Sequence, residues 1–205
     1  KPYVAILGGA KIEDKIPVLE SLINKADVLL IGGAMAYTFL QAQGKGVGKS
    51  IVEEDKLQIA ADIMKKAENS GVKLILPLDH VMATAPDSQE IALVADSYPL
   101  PDNLMGVDIG PKTIAEYEKY IKSAKTIFWN GPLGIFEVKP FSRGTVEIAR
   151  AVAESGAFSV VGGGDSIAAI QQAGVADRIS HISTGGGASL EYIAYGTLPG
   201  IEALK

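Results

Sequence analysis

Four short apolar runs decide the fold, because each of them ends in a glycine cluster. They read Val4-Ala5-Ile6-Leu7-Gly8-Gly9, Val28-Leu29-Leu30-Ile31-Gly32-Gly33, Val160-Val161-Gly162-Gly163-Gly164 and Ile182-Ser183-Thr184-Gly185-Gly186-Gly187. A segment with a helical pattern follows each run. Buried parallel strands that lead through glycine turns into helices place those turns along one edge of a sheet. We therefore expect bare amide N–H groups and positive helix ends to face one cleft there, an arrangement suited to phosphates.

Strand and helix patterns alternate through most of the chain, which predicts right-handed βαβ crossovers. The expected fold class is α/β: a doubly wound, mostly parallel, Rossmann-like sheet with helices on both faces, forming a single nucleotide-binding domain over 1–205. The interruption at 79–110, rich in proline, predicts irregular chain or a small antiparallel excursion. Predicted strands cover 3–7, 28–31, 73–78, 126–129, 159–161, 181–183 and, more weakly, 91–95. Predicted helices cover 17–24, 34–43, 53–69, 112–123, 145–154, 166–173 and 189–195.

Composition excludes several classes of function. The net charge of −5, without a block of like charge, argues against nucleic-acid and membrane-surface partners. The absence of cysteine excludes disulfides, thiolate metal sites and thiol nucleophiles. The sequence has neither a signal-peptide pattern nor a long apolar stretch, so we predict a soluble, cytoplasmic protein and, by default, a monomer. The start at Lys1-Pro2, directly before a strand, suggests a fragment of something longer.

Two lysines follow the first glycine turn, in Gly8-Gly9-Ala10-Lys11-Ile12-Glu13-Asp14-Lys15. Four residues apart on a helix, both would point toward an anion bound at the turn. Two solvated lysines on a helix face are an equally good interpretation of this cluster alone. Pro17 tolerates only the first turn of a helix, so we expect regular helix to begin near Asp14 and leave the geometry of Lys11 open.

The third and fourth glycine clusters also carry candidate chemistry. Asp165 and Ser166, after the third cluster, suit a Mg²⁺ ion that bridges phosphate oxygens and a hydroxyl contact to phosphate. Taken alone, Asp165 is better explained as a helix N-cap. The run Gly185-Gly186-Gly187 offers free amides at a helix start, suited to the charge of a phosphoryl group in transfer. A flexible turn is the alternative, but ordering three glycines is costly, which favours a functional role.

Other motifs carry less information. Trp129-Asn130-Gly131-Pro132-Leu133-Gly134-Ile135-Phe136-Glu137 would suit a nucleoside, with an apolar wall for the base and a carboxylate for the ribose. The two histidines, His80 and His181, lack a partner at ligand spacing and are predicted to be structural. The stretch 44–50 resembles a Walker A loop but is one residue short and follows a helix, so we interpret it as a surface turn. No arginine falls inside a glycine cluster, which suggests a phosphoryl-transfer site completed by a second domain.

Five of these motifs, in order from end to end, resemble the carboxy-terminal, nucleotide-binding half of phosphoglycerate kinase. They are Gly8-Gly9-Ala10-Lys11 with Asp14-Lys15, Gly32-Gly33-Ala34-Met35-Ala36-Tyr37-Thr38-Phe39, Trp129 through Glu137, Gly162-Gly163-Gly164-Asp165, and Ser183-Thr184-Gly185-Gly186-Gly187-Ala188-Ser189-Leu190-Glu191. The resemblance implies transfer of the acyl phosphate of 1,3-bisphosphoglycerate to Mg-ADP, giving ATP and 3-phosphoglycerate, in a cleft that closes between two domains.

The resemblance also implies a role for each matching residue. Lys11 would steady the transferring phosphoryl group, Lys15 the nucleotide phosphates and Asp165 the Mg²⁺, while the amides of Gly185, Gly186 and Gly187 would cradle transferring charge. An adenine slot would be lined by Gly32, Gly33, Gly106, Val107, Pro132 and Ile135. Asn130 and Glu137 would lie at the phosphates and ribose, and Gly9, Ala10, Gly163, Gly164 and Ser166 complete the predicted nucleotide-binding set.

The chain departs from the family pattern in two places: Ala34 replaces a frequent third glycine, and Ser166 replaces a frequent threonine, which keeps the hydroxyl. The amino-terminal domain with its phosphoglycerate site is expected to be missing, so the chain alone should bind ADP and ATP without kinase activity. A stand-alone adenine-nucleotide module without turnover remains open, as does a Rossmann-type domain for NAD, although no G-x-G-x-x-G follows the first strand.

Overall fold

A six-stranded parallel sheet forms the centre of the molecule. The structure is a computed structural model and describes residues 1–204. The nine strands of the described residues are β1 (Tyr3–Leu7), β2 (Val28–Ile31), β3 (Lys73–Ile75), β4 (His80–Ala83), β5 (Leu93–Ala95), β6 (Met105–Ile109), β7 (Thr126–Asn130), β8 (Phe158–Gly162) and β9 (His181–Ser183). The large sheet has the order β3-β2-β1-β7-β8-β9, with every neighbouring pair parallel. The predicted doubly wound α/β fold is confirmed.

Helices cover both faces of this sheet. In the described part of the chain the α-helices are α1 (Ile16–Leu22), α2 (Met35–Ala42), α3 (Leu57–Asn69), α4 (Pro111–Ser123), α5 (Arg143–Glu154), α6 (Gly164–Gln172), α7 (Gly187–Tyr195) and α8 (Pro199–Glu202). Short 3-10 turns lie at Glu13–Lys15, Glu54–Lys56, Lys139–Phe141 and Ala176–Arg178. None of the helices within residues 1–204 has the length and apolar character that crossing a membrane would require.

Alternation along each strand divides the core into two layers. In β1, Val4 and Ile6 point into the layer beneath α4, α5 and α6, whereas Ala5 and Leu7 point into the layer beneath α1, α2 and α3. Successive side chains of a strand face opposite sides of a sheet, so a strand covered on both faces must be apolar throughout. All four of these side chains are fully buried, and the sheet is consequently a rigid platform for the loops at its carboxyl edge.

The proline-rich interruption is a second, three-stranded sheet with the order β5-β4-β6, in which both pairs are antiparallel. The expected antiparallel excursion is thereby confirmed, but β4 and β6 were not among the predicted strands. Its own small core contains Tyr37 and Leu40 from α2 together with Met82 and Leu104. The small sheet therefore packs beside the start of α2, close to the carboxyl edge of the large sheet.

Candidate functional site

The candidate site lies where the strand order of the large sheet reverses. The chain moves outward from β1 through β2 to β3, then returns to β7 on the other side of β1 and continues to β8 and β9. At such a switch point the loops after the two central strands diverge and leave a crevice at their carboxyl ends. Here the diverging loops are those after β1 and β7, and the crevice between them is where the predicted residues meet.

The first two glycine clusters serve packing between loops. The amides of Gly8 and Gly9 donate to the carbonyls of Asn130 and Pro132 at 3.0 and 2.9 Å, and the amide of Gly33 donates to the Leu133 carbonyl at 3.1 Å. A Cβ added to Gly8 would collide with the Pro132 carbonyl oxygen. The prediction that these clusters present bare amides was wrong, because the end of β7 and the loop after it lie directly on them and accept the hydrogen bonds of Gly8, Gly9 and Gly33.

The last two glycine clusters do present free amides. α6 begins at Gly164 and α7 begins at Gly187, and the residue before each helix, Gly163 or Gly186, has a positive φ of 95° or 52°. Within residues 1–204, the amides of 163–165 and 185–187 donate to no other backbone group. Two helix starts with unpaired donors thus face solvent at one side of the crevice, and both favour an anion.

An apolar groove of about 250 Å³ occupies the other side of the crevice. Its walls come from the start of α2, from strand β6 and from the loop after β7. Nine predicted residues line it: Gly9, Ala10, Gly33, Gly106, Val107, Pro132, Ile135, Glu137 and Asp165. Sequence reasoning missed others, among them Tyr37, Ile51, Met105, Asp108 and Leu133. The only local signal for Tyr37, Met105, Asp108 and Leu133 was their proximity in sequence to Gly33, Gly106 and Pro132, and Ile51 had none.

A polar basin of about 380 Å³ continues from the groove toward the free amides. Predicted residues in its lining are Gly9, Ala10, Lys11, Lys15, Asn130, Pro132, Gly163, Gly164, Asp165, Ser166, Gly186 and Gly187; Asp14 also lines it. Groove and basin share Gly9, Ala10, Pro132 and Asp165, so they form one continuous depression. Of the predicted site residues, Gly32 and Gly185 line neither part; Gly32 is buried against Leu133, and Gly185 is exposed next to Gly186.

Lys15 is the buried cation of the basin. Its side-chain ammonium donates to the Asn130 side-chain oxygen, and the Asn130 amide nitrogen donates to the Gly162 carbonyl at 2.7 Å. Burial lowers the pKa of Lys15, while the nearby carboxylates of Asp14 and Asp165 act in the opposite direction. An ammonium group held in this way still has N–H donors directed at the basin. Because burial has removed part of its hydration, a bound anion would stabilise its charge.

Lys11 differs from Lys15 in being exposed and in having no hydrogen bond or ion pair to any residue of the described range. It precedes the 3-10 turn Glu13–Lys15, and Pro17 is the second residue of α1, so the two lysines do not lie on one regular helix. The neighbouring Ile12 is fully buried, and its amide donates to the Glu53 carboxylate. The chain around Lys11 is therefore fixed while its ammonium group is free at the mouth of the basin.

Asp165 lies in the first turn of α6 and lines both groove and basin. The N-cap position of this helix is Gly163, so the capping role that sequence alone favoured for Asp165 was wrong. The exposed carboxylate makes no hydrogen bond or ion pair within residues 1–204. Ser166 is fully buried, and its hydroxyl accepts a hydrogen bond from the Gly131 amide at 2.6 Å. The hydroxyl oxygen is therefore already used in a hydrogen bond within the protein.

His80 and the Walker-like stretch 44–50 both make contacts inside the protein. His80 is buried between two tyrosines, its ring nitrogens 3.0 Å from the Tyr37 hydroxyl and 2.7 Å from the Tyr98 hydroxyl. Burial lowers the pKa of His80 to about 4, so the imidazole is neutral near pH 7. In the Walker-like stretch, Ser50 accepts the Gly106 amide hydrogen at 2.9 Å. This stretch buttresses the groove from behind and does not line it.

Comparison with known protein families identifies a match over nearly the whole chain. A family model described as phosphoglycerate kinase matches residues 1–195. Curated proteins named phosphoglycerate kinase are 57% identical in Anaeromyxobacter sp. (strain K) and 52% identical in Clostridium novyi (strain NT), each over 205 residues. Each match covers 100% of this chain and 52% of the relative, so the chain spans about half the length of the curated relatives it matches.

Solved structures give the same picture. The phosphoglycerate kinase of Coxiella burnetii superposes with a TM-score of 0.95 at 44% identity, covering 100% of this chain and 53% of that one. The enzyme of the same name from Pyrococcus horikoshii OT3 superposes with a TM-score of 0.86 at 37% identity, covering 100% and 52%. The fold seen here is thus one half of the fold of those proteins.

Proposed function

The chain belongs to the phosphoglycerate kinase family, and we propose that it is the half of such an enzyme that binds adenine nucleotide, with Mg²⁺, along the groove and basin. In the proposed reaction of the whole protein, the acyl phosphate of 1,3-bisphosphoglycerate passes its phosphoryl group to the β-phosphate of ADP. The products are ATP and 3-phosphoglycerate.

One observation carries this proposal: an apolar groove and a basin rich in free donors join at a switch point. The groove suits a base, because apolar walls with a few polar groups favour an aromatic ring. The basin suits a polyphosphate, because two helix starts and two lysine ammonium groups converge on it. Their junction at Gly9, Ala10, Pro132 and Asp165 allows one ligand to occupy both.

Different polar residues would contact different parts of the nucleotide. Glu137, exposed at the groove, would accept hydrogen bonds from ribose hydroxyls, and Asn130 would orient Lys15 toward the phosphates. Lys15 would bind the phosphates of the ground state. Lys11 and the amides of Gly185, Gly186 and Gly187 would contact the phosphoryl group in transfer, where charge spreads over three oxygens.

Asp165 would hold Mg²⁺ with the help of the nucleotide. No group of three or more His, Asp or Glu side chains among residues 1–204 is arranged to hold a metal ion. Mg²⁺ is often bound by one carboxylate together with phosphate oxygens and water, so a single free carboxylate beside a phosphate basin fits it. When bound, the ion would neutralise charge on the phosphates.

Turnover would require a part of the protein outside this chain. The three arginines, Arg143, Arg150 and Arg178, line neither groove nor basin, whereas phosphoryl transfer commonly uses a guanidinium clamp. We propose that the remaining half of the protein supplies this charge together with the phosphoglycerate site. The chain alone would then bind ADP and ATP and be essentially inactive.

Isothermal titration calorimetry of the chain with ADP, ATP and NAD, each with and without Mg²⁺, tests the binding proposal. We expect ADP and ATP to bind and NAD to bind far more weakly. Tight NAD binding without ADP binding would replace the proposal by a Rossmann-type cofactor domain.

Complementation tests the enzyme proposal. The chain mixed with a matching amino-terminal half should form ATP from 1,3-bisphosphoglycerate and ADP. A stand-alone nucleotide module would form no ATP even when the two halves associate. Lys11→Ala should leave ADP affinity little changed and greatly reduce complemented turnover, because an interaction made chiefly in the transition state acts on the rate. Equal losses of both would contradict that role.

A further inference from the structure

A buried carboxylate forms part of the wall of the apolar groove. Asp108, in strand β6, is 3% exposed. One of its oxygens accepts the Gly144 amide hydrogen at 2.7 Å and the other accepts the Ile109 amide hydrogen at 2.9 Å. Gly144 is the second residue of α5, and the N-cap of this helix, Ser142, makes no capping bond. Asp108 therefore caps α5 from a different element, where a negative charge is favoured by the helix dipole.

The segment between β7 and α5 is held against β6 next to Asp108. Its Ile135 amide donates to the Val107 carbonyl at 2.8 Å. A Cβ on Gly134 or on Gly144 would collide with the Asp108 carboxylate, so both chain segments pass directly over it. This segment carries Pro132, Ile135 and Glu137, three predicted contacts to nucleotide.

We propose that Asp108 is a positioning residue for the nucleotide site: its ionised carboxylate ties β6 to the start of α5 and so holds the groove wall formed by residues 131–137. The proposal rests on the proposed function, because it concerns the shape of the same groove. A hydrogen bond to a charged acceptor is worth more than one to a neutral acceptor, so the tie is strongest in the ionised form.

The ionisation of Asp108 falls in an accessible range of pH. Burial raises its pKa to about 7, while the Gly144 and Ile109 amides and the Arg143 guanidinium act to lower it. When the carboxyl is protonated, one oxygen becomes a donor facing an amide donor, and one of the two bonds is lost. On β4 the residue opposite Asp108 is the apolar Val81. The ionisable or charged groups around Asp108 and its groove are Arg143 from α5, Tyr37 from α2, Glu137 from the wall and Asp165 from α6.

The test is the pH dependence of ADP binding, measured by calorimetry without metal between pH 6 and pH 8 for the wild-type chain and Asp108→Asn. If only the ionised form holds the wall, ADP affinity of the wild type should rise about tenfold more over this range than that of the variant, since the competent fraction scales the apparent affinity. Protonation of ADP itself affects both proteins equally and cancels in the comparison.

Asp79→Asn is the matched control. Asp79 is also buried, and it caps α4 through the amides of Lys112 and Thr113 at 2.9 and 2.8 Å, but it lines neither groove nor basin. This variant should lose stability and keep the wild-type pH profile of ADP binding. A wild-type profile in Asp108→Asn, or the same flattened profile in both variants, would overturn the proposal.

Arg143→Gln makes the test independent of whether Asp108→Asn folds. Arg143 is exposed and acts to lower the pKa of Asp108, so its removal should move the midpoint of the binding profile to higher pH. A midpoint that does not move overturns the positioning role even when ADP binds normally. Absence of ADP binding to the wild type at every pH would instead refute the proposed function, and this inference with it.

Discussion

Two halves of one sheet edge use similar glycine clusters in opposite ways. At the ends of β1 and β2, the amides of Gly8, Gly9 and Gly33 donate hydrogen bonds to carbonyls at the end of β7 and in the loop after it. At the ends of β8 and β9, the amides of Gly163 to Asp165 and Gly185 to Gly187 donate to no backbone group among the described residues. A glycine cluster after a strand can therefore serve either the close packing of another backbone or a row of free amide donors, and the neighbouring strand decides which.

The difference follows from position in the sheet. β1 is central, with β7 beside it, so the loops that leave both strands must pass over each other at van der Waals distance. β9 is an edge strand with a single neighbour, and no other backbone segment of the described chain lies on its glycine run: only side chains of the same loop and helix come near Gly185, and nothing lies within 4 Å of a Cβ built on Gly186 or Gly187. The packed half thus forms the rigid groove wall, and the open half presents donors to solvent.

The largest expected effect comes from placing a methyl group in the packed half. Gly8→Ala should destabilise the chain by about 3 kcal/mol or more, because backbone carbonyls of Gly131 and Pro132 block the Cβ and cannot move aside cheaply. Gly164→Ala is the matched variant, since nothing lies within 4 Å of its Cβ, and it should change stability by less than about 0.5 kcal/mol. Urea denaturation measures both, and similar losses in the two variants would contradict the division into packed and open halves.

Acid should destabilise the protein through His80, which supports the groove residue Tyr37. The folded pKa of about 4 lies below the ordinary value of 6.5, so the unfolded chain binds more protons between these values. The stabilisation is complete above pH 6.5 and is lost as pH falls toward 4, by at most about 3 kcal/mol.

Comparing the stability of His80→Gln with that of the wild type isolates the pH-dependent contribution of His80. Asp108 acts in the opposite sense, because its raised pKa makes the folded chain bind more protons between pH 4 and 7. Denaturation curves at several pH values should therefore show a wild-type advantage that shrinks from pH 7 to pH 4. A difference in stability that does not change with pH would contradict this role of His80.

Lys15 joins the two halves and should have the next largest effect. Lys15→Met removes the buried ammonium group, and ADP affinity should fall by about tenfold to a hundredfold, the value of a charge-assisted hydrogen bond. Stability should change little, since the lost bond to Asn130 is offset by relief of desolvation. Calorimetry gives the affinity. Lys66→Met, which lines neither groove nor basin, should bind ADP as wild type does; unchanged affinity in Lys15→Met would refute its phosphate role.

The smallest expected effect concerns the open half alone. Asp165→Asn should abolish the part of ADP binding that depends on Mg²⁺, a change of about fivefold or roughly 1 kcal/mol for an exposed carboxylate. Binding without metal should be equal to or slightly stronger than in wild type, because a negative charge leaves the phosphate basin. A variant that keeps the full response to Mg²⁺ would exclude Asp165 as the ligand.

Local pattern predicted most elements of the large sheet. β1, β2 and β9 occupy the residues expected, because their apolar runs end in unmistakable turns. β3 ends at Ile75 rather than 78, since only three of its residues pair with β2. α6 and α7 begin two residues earlier than expected, at Gly164 and Gly187, because glycine gives no local helix signal.

The small sheet could not be predicted in the same way. β6 contains Gly106 and Asp108, two residue types that are rare in strands, and it forms because β4 pairs with it. α5 begins at Arg143 rather than 145, and the cap that permits this comes from Asp108, 36 residues away from Gly144. Contacts of this kind leave no trace in a local window of sequence.

The sequence by itself determined the parallel α/β architecture and the edge at which the glycine turns gather, because apolar periodicity and glycine position are local properties. Most residues of the candidate site were predicted from the resemblance to the phosphoglycerate kinase family. The tertiary structure decided which glycine amides remain free, which lysine is buried and where the groove has its walls. These depend on which strands become neighbours, and the strand order arises only when distant segments bury their apolar faces together.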